Sequence, residues 1–444
     1  MYHKWNILIL VHQTNEVTVN HSAKKYLEKS YLCSDQTIND MISSSFLFFA
    51  FGINGFQCNS FGYKSSQIVL NIQKRSDKMC CPCCKSRHIV RNGYVWRDFK
   101  TVPIGHIPVV LHTKIQRVRC KDCGCDQQED IHFAHGKRTY TARLENLVMD
   151  LLDIATIKSV AEYLHLTWDT VKDIHKRRLK ARYGNPDIRG VRNIGIDEFA
   201  VRKGHIYKTI VVDLDTGRII HVGDGKGTDA LRGFWLKVEH YGVVIEHIAT
   251  DLSKAFIASV MEHAPVAVHV FDHFHVVKLM NDAIDKLRSK MYHEEKDLNK
   301  RKVIKGMRWL LLCNGKDIYD DKHRERLDNA LALNRPLAQA YYLKESMREI
   351  WMQVSKSKAE SVMEDWIRQA RSTKVPLIEK VANTIAAYRY GILAWYDCHI
   401  STAKVEGINN KIKVLKRNAY GFRDEQYFKL RLYALHERAV TSFV

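Results

Sequence analysis

Between Asn193 and Phe271 the chain carries a succession of segments that few folds can satisfy. "NIGIDEFAV", "IYKTIVVDL" and "RIIHV" are strand-like, and they are separated by short turns at Lys203–Gly204 and at "DTG". "DALRGFWLKVEHYG" then takes a helical period. "VVIEHIATDLSKAF" reads as a fourth strand running into a helix at Leu252, and "VAVHVFDHFHVVKLMNDAI" as a fifth strand running into another. Short turns join antiparallel neighbours, whereas strand–helix–strand steps are crossovers that place strands in parallel. The expected product is an α/β sheet with three antiparallel strands, parallel additions and helices packed on it.

That arrangement gives two acids a meaning. Asp197 lies on the first strand and Asp251 at the end of the fourth. If the two strands are neighbours, as in a ribonuclease-H-like sheet, the carboxylates meet at one edge. A third acid on a helix beside that edge would complete a site for two Mg²⁺ (or Mn²⁺) ions, which take hard oxygen ligands. The stretch "STAKVEGINNKIKVLKRNAYGF" supplies such a helix: Val405, Ile408, Ile412 and Leu415 recur at helical spacing, with Glu406 beside them. Each acid also has a plainer reading. Strand-end aspartates make turns and salt bridges, and an acid near a helix N-terminus suits the dipole. Glu198 and Asp272 are rival ligands, and Asp272 with His275 and Lys278 is a candidate supporting group. Behind Glu406, Lys411, Lys413, Lys416 and Arg417 are candidates to hold a phosphate backbone, adding salt-dependent affinity rather than sequence choice.

The charge balance agrees with such a partner. Lys and Arg total 70 against 49 acids, a formal charge of +21, which favours a polyanion, most often nucleic acid. No apolar run approaches the roughly 20 residues of a membrane helix. "FLFFAFG" is too short, and the start "MYHKWNILILVHQTNE" lacks a signal segment. The expectation is a cytoplasmic, nucleoid-associated protein, whose eleven cysteines serve metal binding rather than disulfides. Seven of them fall in "CCPCCKSRH" and "RCKDCGCD". Cys81 with Cys84 and Cys120 with Cys123 form two CxxC knuckles suited to a closed, structural zinc site. The intervening text is strand-like, as expected if hairpins carry the knuckles. Cys80, Cys83 and Cys125 leave the ligand choice open, since Cys80 and Cys83 make an overlapping CxxC.

"SVAEYLHLTWDTVKDIHKRRLK" has the rhythm of a helix-turn-helix. Val160 and Leu164 face a core, Ala161 is small where helices approach, Leu166 plugs the turn, and Val171 and Ile174 anchor the second helix. Thr167 or Asp169 could cap that helix. Its candidate DNA contacts are Trp168, Thr170, Lys172, Lys176 and Arg177, with Asp173 on the same side. An ordinary helical hairpin is the alternative, and the turn has His165 where Gly is usual.

Taken together, "GIDEFAVRKGHIYKTIVVDLDTG", "TDLSKAF", "FDHFHVVKLMNDAID", "KGMRWLLL" and "VEGINNKIKVLKRNAYGFRD" resemble the blocks of the ISL-three family of bacterial insertion-sequence DDE transposases, over roughly residues 45–440. The resemblance implies a multidomain α+β protein: an N-terminal zinc ribbon, a helix-turn-helix, and a ribonuclease-H-like α/β catalytic domain interrupted by an all-α insertion. It also implies the catalytic and Mg²⁺-binding triad Asp197, Asp251 and Glu406, and binding of terminal inverted repeats by the N-terminal modules. The corresponding organisation is a leader over 1–40, which an initiation at Met41 would exclude, then an N-terminal segment over 41–78. A zinc ribbon follows over 79–135 and a helix-turn-helix domain over 136–188. The catalytic core covers 189–281, the helical insertion 282–395, and the glutamate-bearing remainder 396–444. Trp309, Trp351 and Trp366 of the insertion are read most simply as core residues, with stacking on a flipped base as the alternative. The implied reaction is DNA phosphoryl transfer: water cleaves a phosphodiester at a transposon end, and the freed 3′-hydroxyl attacks target DNA. Joining two ends implies at least a homodimer. The rival readings are a DNA-binding regulator and a structural nucleic-acid binder.

Overall fold

The computed structural model describes residues 44–436 apart from 203–205, 333 and 420. The leader over 1–40 and the turn at Lys203–Gly204 lie outside the described residues. The chain divides into two compact units, one ending at His175 and the other beginning at Lys176.

The first unit opens with helix α1 (Ser44–Phe51) and strands β1 (Phe56–Lys64), β2 (Gln67–Lys74), β3 (Ile89–Ile104), β4 (Ile107–Cys120) and β5 (Asp126–Gln128). The sheet order is β1-β2-β4-β3, with β5 added on β4. Alternation along β2 and β4 places Leu70, Ile72, Val109, Leu111 and Ile115 in a core closed by Leu47 and Phe51 of α1. The long β3–β4 hairpin pairs Ile89 with Cys120, so the segments just before β3 and just after β4 emerge side by side.

Helices α2 (Ala142–Leu152), α3 (Ile157–Tyr163) and α4 (Trp168–Tyr183) follow. Val160, Ala161, Leu164, Val171 and Ile174 are buried together against Leu144, Val148 and Leu152 of α2, with Leu166 packed against them. Thr167 caps α4, accepting a hydrogen bond from the Thr170 amide at 3.2 Å. His165 has φ of +51°, the left-handed conformation for which the turn usually employs Gly, and its carbonyl accepts from Lys100 Nζ at 2.8 Å. His165→Gly is expected to stabilise the full chain by about 0.5–1 kcal/mol, read as a higher thermal unfolding midpoint. An unchanged or lower midpoint would show that the histidine is not strained there.

The second unit is built on β6 (Asn193–Arg202), β7 (Ile206–Asp213), β8 (Ile219–Asp224), β9 (His247–Thr250) and β10 (Val268–Phe271), in the order β10-β9-β6-β7-β8. The β6–β7 and β7–β8 pairs are antiparallel, and β9 and β10 add in parallel. This is the ribonuclease-H-like sheet. Helices α5 (Asp229–Tyr241) and α6 (Lys254–His263) cover one face, where Ile194, Ile196, Val211 and Ile248 meet Phe234 and Phe256. The fourth strand is shorter than its apolar text suggests, and its helix begins at Lys254 rather than Leu252. From α7 (His273–Glu294) the chain enters a helical region, α8 to α14, running from Leu298–Gly306 to Arg389–Leu393. Helix α7 is continuous through 281 and 282. In this region Trp366 is buried and Trp351 half-buried, but Trp309 is 60% exposed, which corrects its reading as a core residue. Trp309 lies on the short helix Arg308–Leu312, whose inward positions go to Leu310 and Leu311.

The chain then returns to the sheet through α15 (Ala403–Asn418) and α16 (Glu425–Tyr433). Val405, Ile408, Ile412 and Leu415 of α15 are buried with Phe199, Ile210 and Leu214 on the second face. Each such burial contributes about 1.5–3 kcal/mol relative to exposure. Among the described residues no helix is long and apolar enough to cross a membrane.

Candidate active site and zinc ribbon

Register places the first two acids. Ile196 pairs with Thr250 across the parallel β6–β9 ladder, so Asp197 and Asp251 each stand one residue beyond that pair. Asp197 Oδ1 accepts from the Glu198 amide at 2.8 Å, and Asp251 Oδ1 from the Ser253 amide at 2.9 Å. Burial pushes Asp197 up to about 7, with Glu198 and Asp251 adding repulsion and the Glu198 amide and Asn409 opposing it. Burial likewise raises Asp251, against the Ser253 amide, His275 and Lys278. Glu198 is raised by burial and by Asp251, and its Oε2 is buried without a hydrogen-bond partner. Repulsion from Asp251 thus acts on both Asp197 and Glu198, and Glu198 Oε2 has no donor, although among the described residues the three acids do not gather within 4.8 Å of one another.

Helix α15 is locked to this edge. Asn409 Nδ2 donates to Asp197 Oδ2 at 2.7 Å, while Asn409 Oδ1 is buried and unpartnered. Glu406 precedes Asn409 by three residues, on the same side of the helix and one turn nearer its start. Its side chain is exposed, and among the described residues Asp197, Asp251 and Glu406 do not gather within 4.8 Å of one another. Two carboxylates are therefore assembled, and the third stands on the adjoining turn. Sequence reasoning missed Asn409. The signal available was its i+3 spacing from Glu406.

Asp272 does something other than flank the acids. It is buried, and its Oδ1 caps α7 by accepting from the Phe274 amide at 2.7 Å. Its Oδ2 accepts from the Thr402 amide at 2.7 Å and from the Thr402 hydroxyl at 2.5 Å. One carboxylate thus starts α7 and anchors the turn that leads into Glu406. Asp272→Ala leaves three donors without their acceptor and is expected to cost about 3 kcal/mol. Calorimetry on the full chain checks this, and a loss below about 1 kcal/mol would refute the anchoring role. His275 and Lys278 both act on Asp251 through their charge.

The basic candidates divide. On α15, Lys411, Lys413 and Arg417 are exposed. Lys416 instead donates to the Ala200 carbonyl at 2.5 Å, and burial lowers its pKa. On α4, Trp168 is 47% exposed, with the Lys172 ammonium 5.4 Å from its ring centroid. The Thr170 hydroxyl is bonded to that of Thr167 at 2.7 Å. Arg177 is half-buried, and Lys176 pairs with Asp424 at 2.9 Å. Lys176 and Lys416 are thus each engaged by a protein acceptor.

In the first unit the Sγ atoms of Cys81, Cys84, Cys120 and Cys123 all lie within 4.8 Å of one another. Cys81–Cys123 is 3.6 Å and Cys84–Cys120 is 3.5 Å, near the separation of about 3.8 Å expected of tetrahedral zinc thiolates. Lys85 and Gly124 take positive φ just after the two CxxC turns. The donor set, softness and spacing fit zinc.

Comparison with known proteins gives a consistent result. Residues 194–432 match the family profile of the DDE-type ISL3 transposases, described as "Transposase". Residues 77–123 match the zinc-finger of transposase IS204/IS1001/IS1096/IS1165. Residues 129–179 match the helix-turn-helix domain of transposase family ISL3. The chain is 33% identical over 359 residues to the transposase for insertion sequence element IS1001 of Bordetella parapertussis, covering 80% of this chain and 88% of that one. It is 25% identical over 393 residues to the transposase for IS1557 of Mycobacterium tuberculosis, covering 81% and 86%. A looser likeness, with a TM-score of 0.40 and 10% identity, is to the Drosophila P element transposase strand transfer complex, over 69% of this chain and 94% of the other.

Proposed function

Because this chain belongs to the ISL3 family of DDE transposases, phosphoryl-transfer enzymes of insertion sequences, we propose that it recognises the terminal inverted repeats of its own element, cleaves DNA there and transfers the freed strand to target DNA. The observation that carries this reading is the acid edge: Asp197 and Asp251 side by side, Glu198 Oε2 without a partner, and α15 tied to Asp197 through Asn409.

Asp197, Asp251 and Glu406 would hold two Mg²⁺ or Mn²⁺ ions. Bound there, the ions would activate the attacking oxygen and stabilise the leaving one. The protein's own part is positional. The paired strands fix the two aspartates, and the flexible, exposed Glu406 side chain closes toward them from the adjoining turn. Asn409 keeps Asp197 Oδ2 oriented until substrate arrives. His275 and Lys278 set a positive flank beside Asp251 that favours a scissile phosphate. Lys411, Lys413 and Arg417 extend that field along α15, and Trp168, Lys172 and Arg177 of α4 face DNA from the helix-turn-helix. Cys81, Cys84, Cys120 and Cys123 hold one zinc that fixes the two knuckles and takes no part in chemistry. Two copies act together when two ends are joined.

The test is incubation of the full-length protein with linear DNA carrying its element's ends, with and without Mg²⁺ or Mn²⁺. Cation-dependent nicking at the repeat boundary and joined products are expected. Specific binding without any cutting would instead favour a regulator, and binding without preference for the repeats a structural role.

A further inference from the structure

Three cysteines lie outside the four-thiolate set, and two of them, Cys83 and Cys125, meet beside it, with both sulfurs within 4.8 Å of Cys81 Sγ. Cys83 Sγ and Cys125 Sγ are 2.7 Å apart, although 42 residues separate them in the chain. That distance is well inside the roughly 3.8 Å between two sulfurs on one zinc, and it approaches the roughly 2.05 Å of a disulfide. The neighbouring zinc pairs, at 3.5 and 3.6 Å, show the wider spacing. Cys83 is exposed and Cys125 partly so, leaving both open to a small solute.

The backbones behind them are held independently of these two thiols. The Cys125 carbonyl accepts from the Cys120 amide at 2.8 Å, the His88 carbonyl from the Lys121 amide at 2.8 Å, and the Ser86 carbonyl from the Cys81 amide at 2.8 Å. Asp122 receives the Ser86 hydroxyl and lies 3.2 Å from His88 Nδ1, bracing one knuckle against the other. The two thiols therefore face each other as a consequence of the hairpin's register.

We propose that Cys83 and Cys125 are an oxidisable pair that closes into a disulfide joining the two knuckles, leaving all four zinc thiolates in place. The oxidant is a peroxide. One thiolate attacks the O–O bond, giving a sulfenic acid and releasing the other oxygen as water (or as an alcohol from an alkyl peroxide). The second thiol displaces the sulfenic oxygen as water. In total two thiols lose two protons and two electrons, one S–S bond forms and one O–O bond breaks. The link lies parallel to the metal, so the ribbon acquires a second clasp that survives metal loss. In a reducing compartment it would form only under oxidative stress, as sensor disulfides do. The inference rests on the four-thiolate zinc reading, and metal content distinguishes a failure of that reading from a failure of this one.

The test uses full-length, zinc-loaded, reduced protein treated with one equivalent of hydrogen peroxide, then alkylated, digested without reduction and mapped by tandem mass spectrometry. The expected product is a Cys83–Cys125 linkage with zinc still at one per chain. After chelation, the oxidised ribbon should be proteolysed about tenfold more slowly than the reduced one. Cys83→Ser should keep one zinc, form no linkage and lose that protection. Alkylation of both Cys83 and Cys125, or a linkage that recruits Cys81, Cys84, Cys120 or Cys123 and expels zinc, would overturn the proposal. Loss of zinc from Cys83→Ser before any oxidation would make Cys83 a ligand and overturn the four-thiolate reading as well.

Discussion

Asp197→Asn is expected to abolish cation-dependent strand cleavage, by about a thousandfold or more, while leaving binding to the element's ends nearly intact. The same variant should be more stable than the wild type when no divalent cation is present. Burial and two neighbouring acids raise Asp197 to about 7 in the folded chain, against about 3.9 when unfolded. Between those values the native state holds a proton that the unfolded state has released. Wild-type stability therefore falls as pH rises from about 4 to about 7, by at most about 4 kcal/mol. Asparagine carries no proton to lose. The two proteins should unfold alike near pH 4, and the variant should unfold several degrees higher at pH 8. Added Mg²⁺ should narrow the gap by stabilising only the wild type. Calorimetry at the two pH values and a cleavage assay check both halves. Retained Mg²⁺-dependent nicking by the variant would remove Asp197 from the site.

Gly195→Ala is expected to lower cleavage by up to about a hundredfold without touching any acid. A Cβ at Gly195 would stand 2.6 Å from Val405 Cγ2 and 2.9 Å from Leu214 Cδ2. The glycine thus sets how closely α15 lies on β6. Leu214 can give by changing rotamer, but Val405 is β-branched and buried under its own helix, so the helix must shift. A displacement of a few tenths of an ångström or more strains the Asn409–Asp197 bond, and Glu406 moves with the same turn. Overpacking of this kind costs about 1–3 kcal/mol, and misplacement near 1 Å costs about a hundredfold in rate. The variant should therefore still fold and bind DNA while cleavage drops by that order. Wild-type cleavage by Gly195→Ala would show that the helix seat tolerates adjustment.

Much of the architecture was legible because it is written in local period. Strands β6 to β8 appear in the text as alternating or continuous apolar runs ended by turns, and α15 as an apolar stripe at 405, 408, 412 and 415. The two CxxC knuckles need only a hairpin to meet, and the long strand-like gap between them provided it. β9 is shorter than its text suggests because Val243 to Ile245 are apolar enough to pass for strand, yet only His247–Thr250 finds a ladder. Trp309 was misplaced for a related reason, since bulk and apolarity say nothing about which side of a five-residue helix faces inward.

What the sequence determined by itself is the succession of elements, the family, and the positions of the acids and thiols along them. These depend on neighbours in the chain and on residue type. Only the tertiary structure decided which polar groups bind one another: Asn409 with Asp197 across 212 residues, Asp272 with Thr402 across 130, and Lys176 with Asp424 across 248. Such pairs carry no period, because a buried donor is satisfied by whatever acceptor packing brings within about 3 Å. Packing also leaves Asp197 and Asp251 together at the edge of the sheet and Glu406 one turn away in solvent, a separation that no spacing in the text could have disclosed.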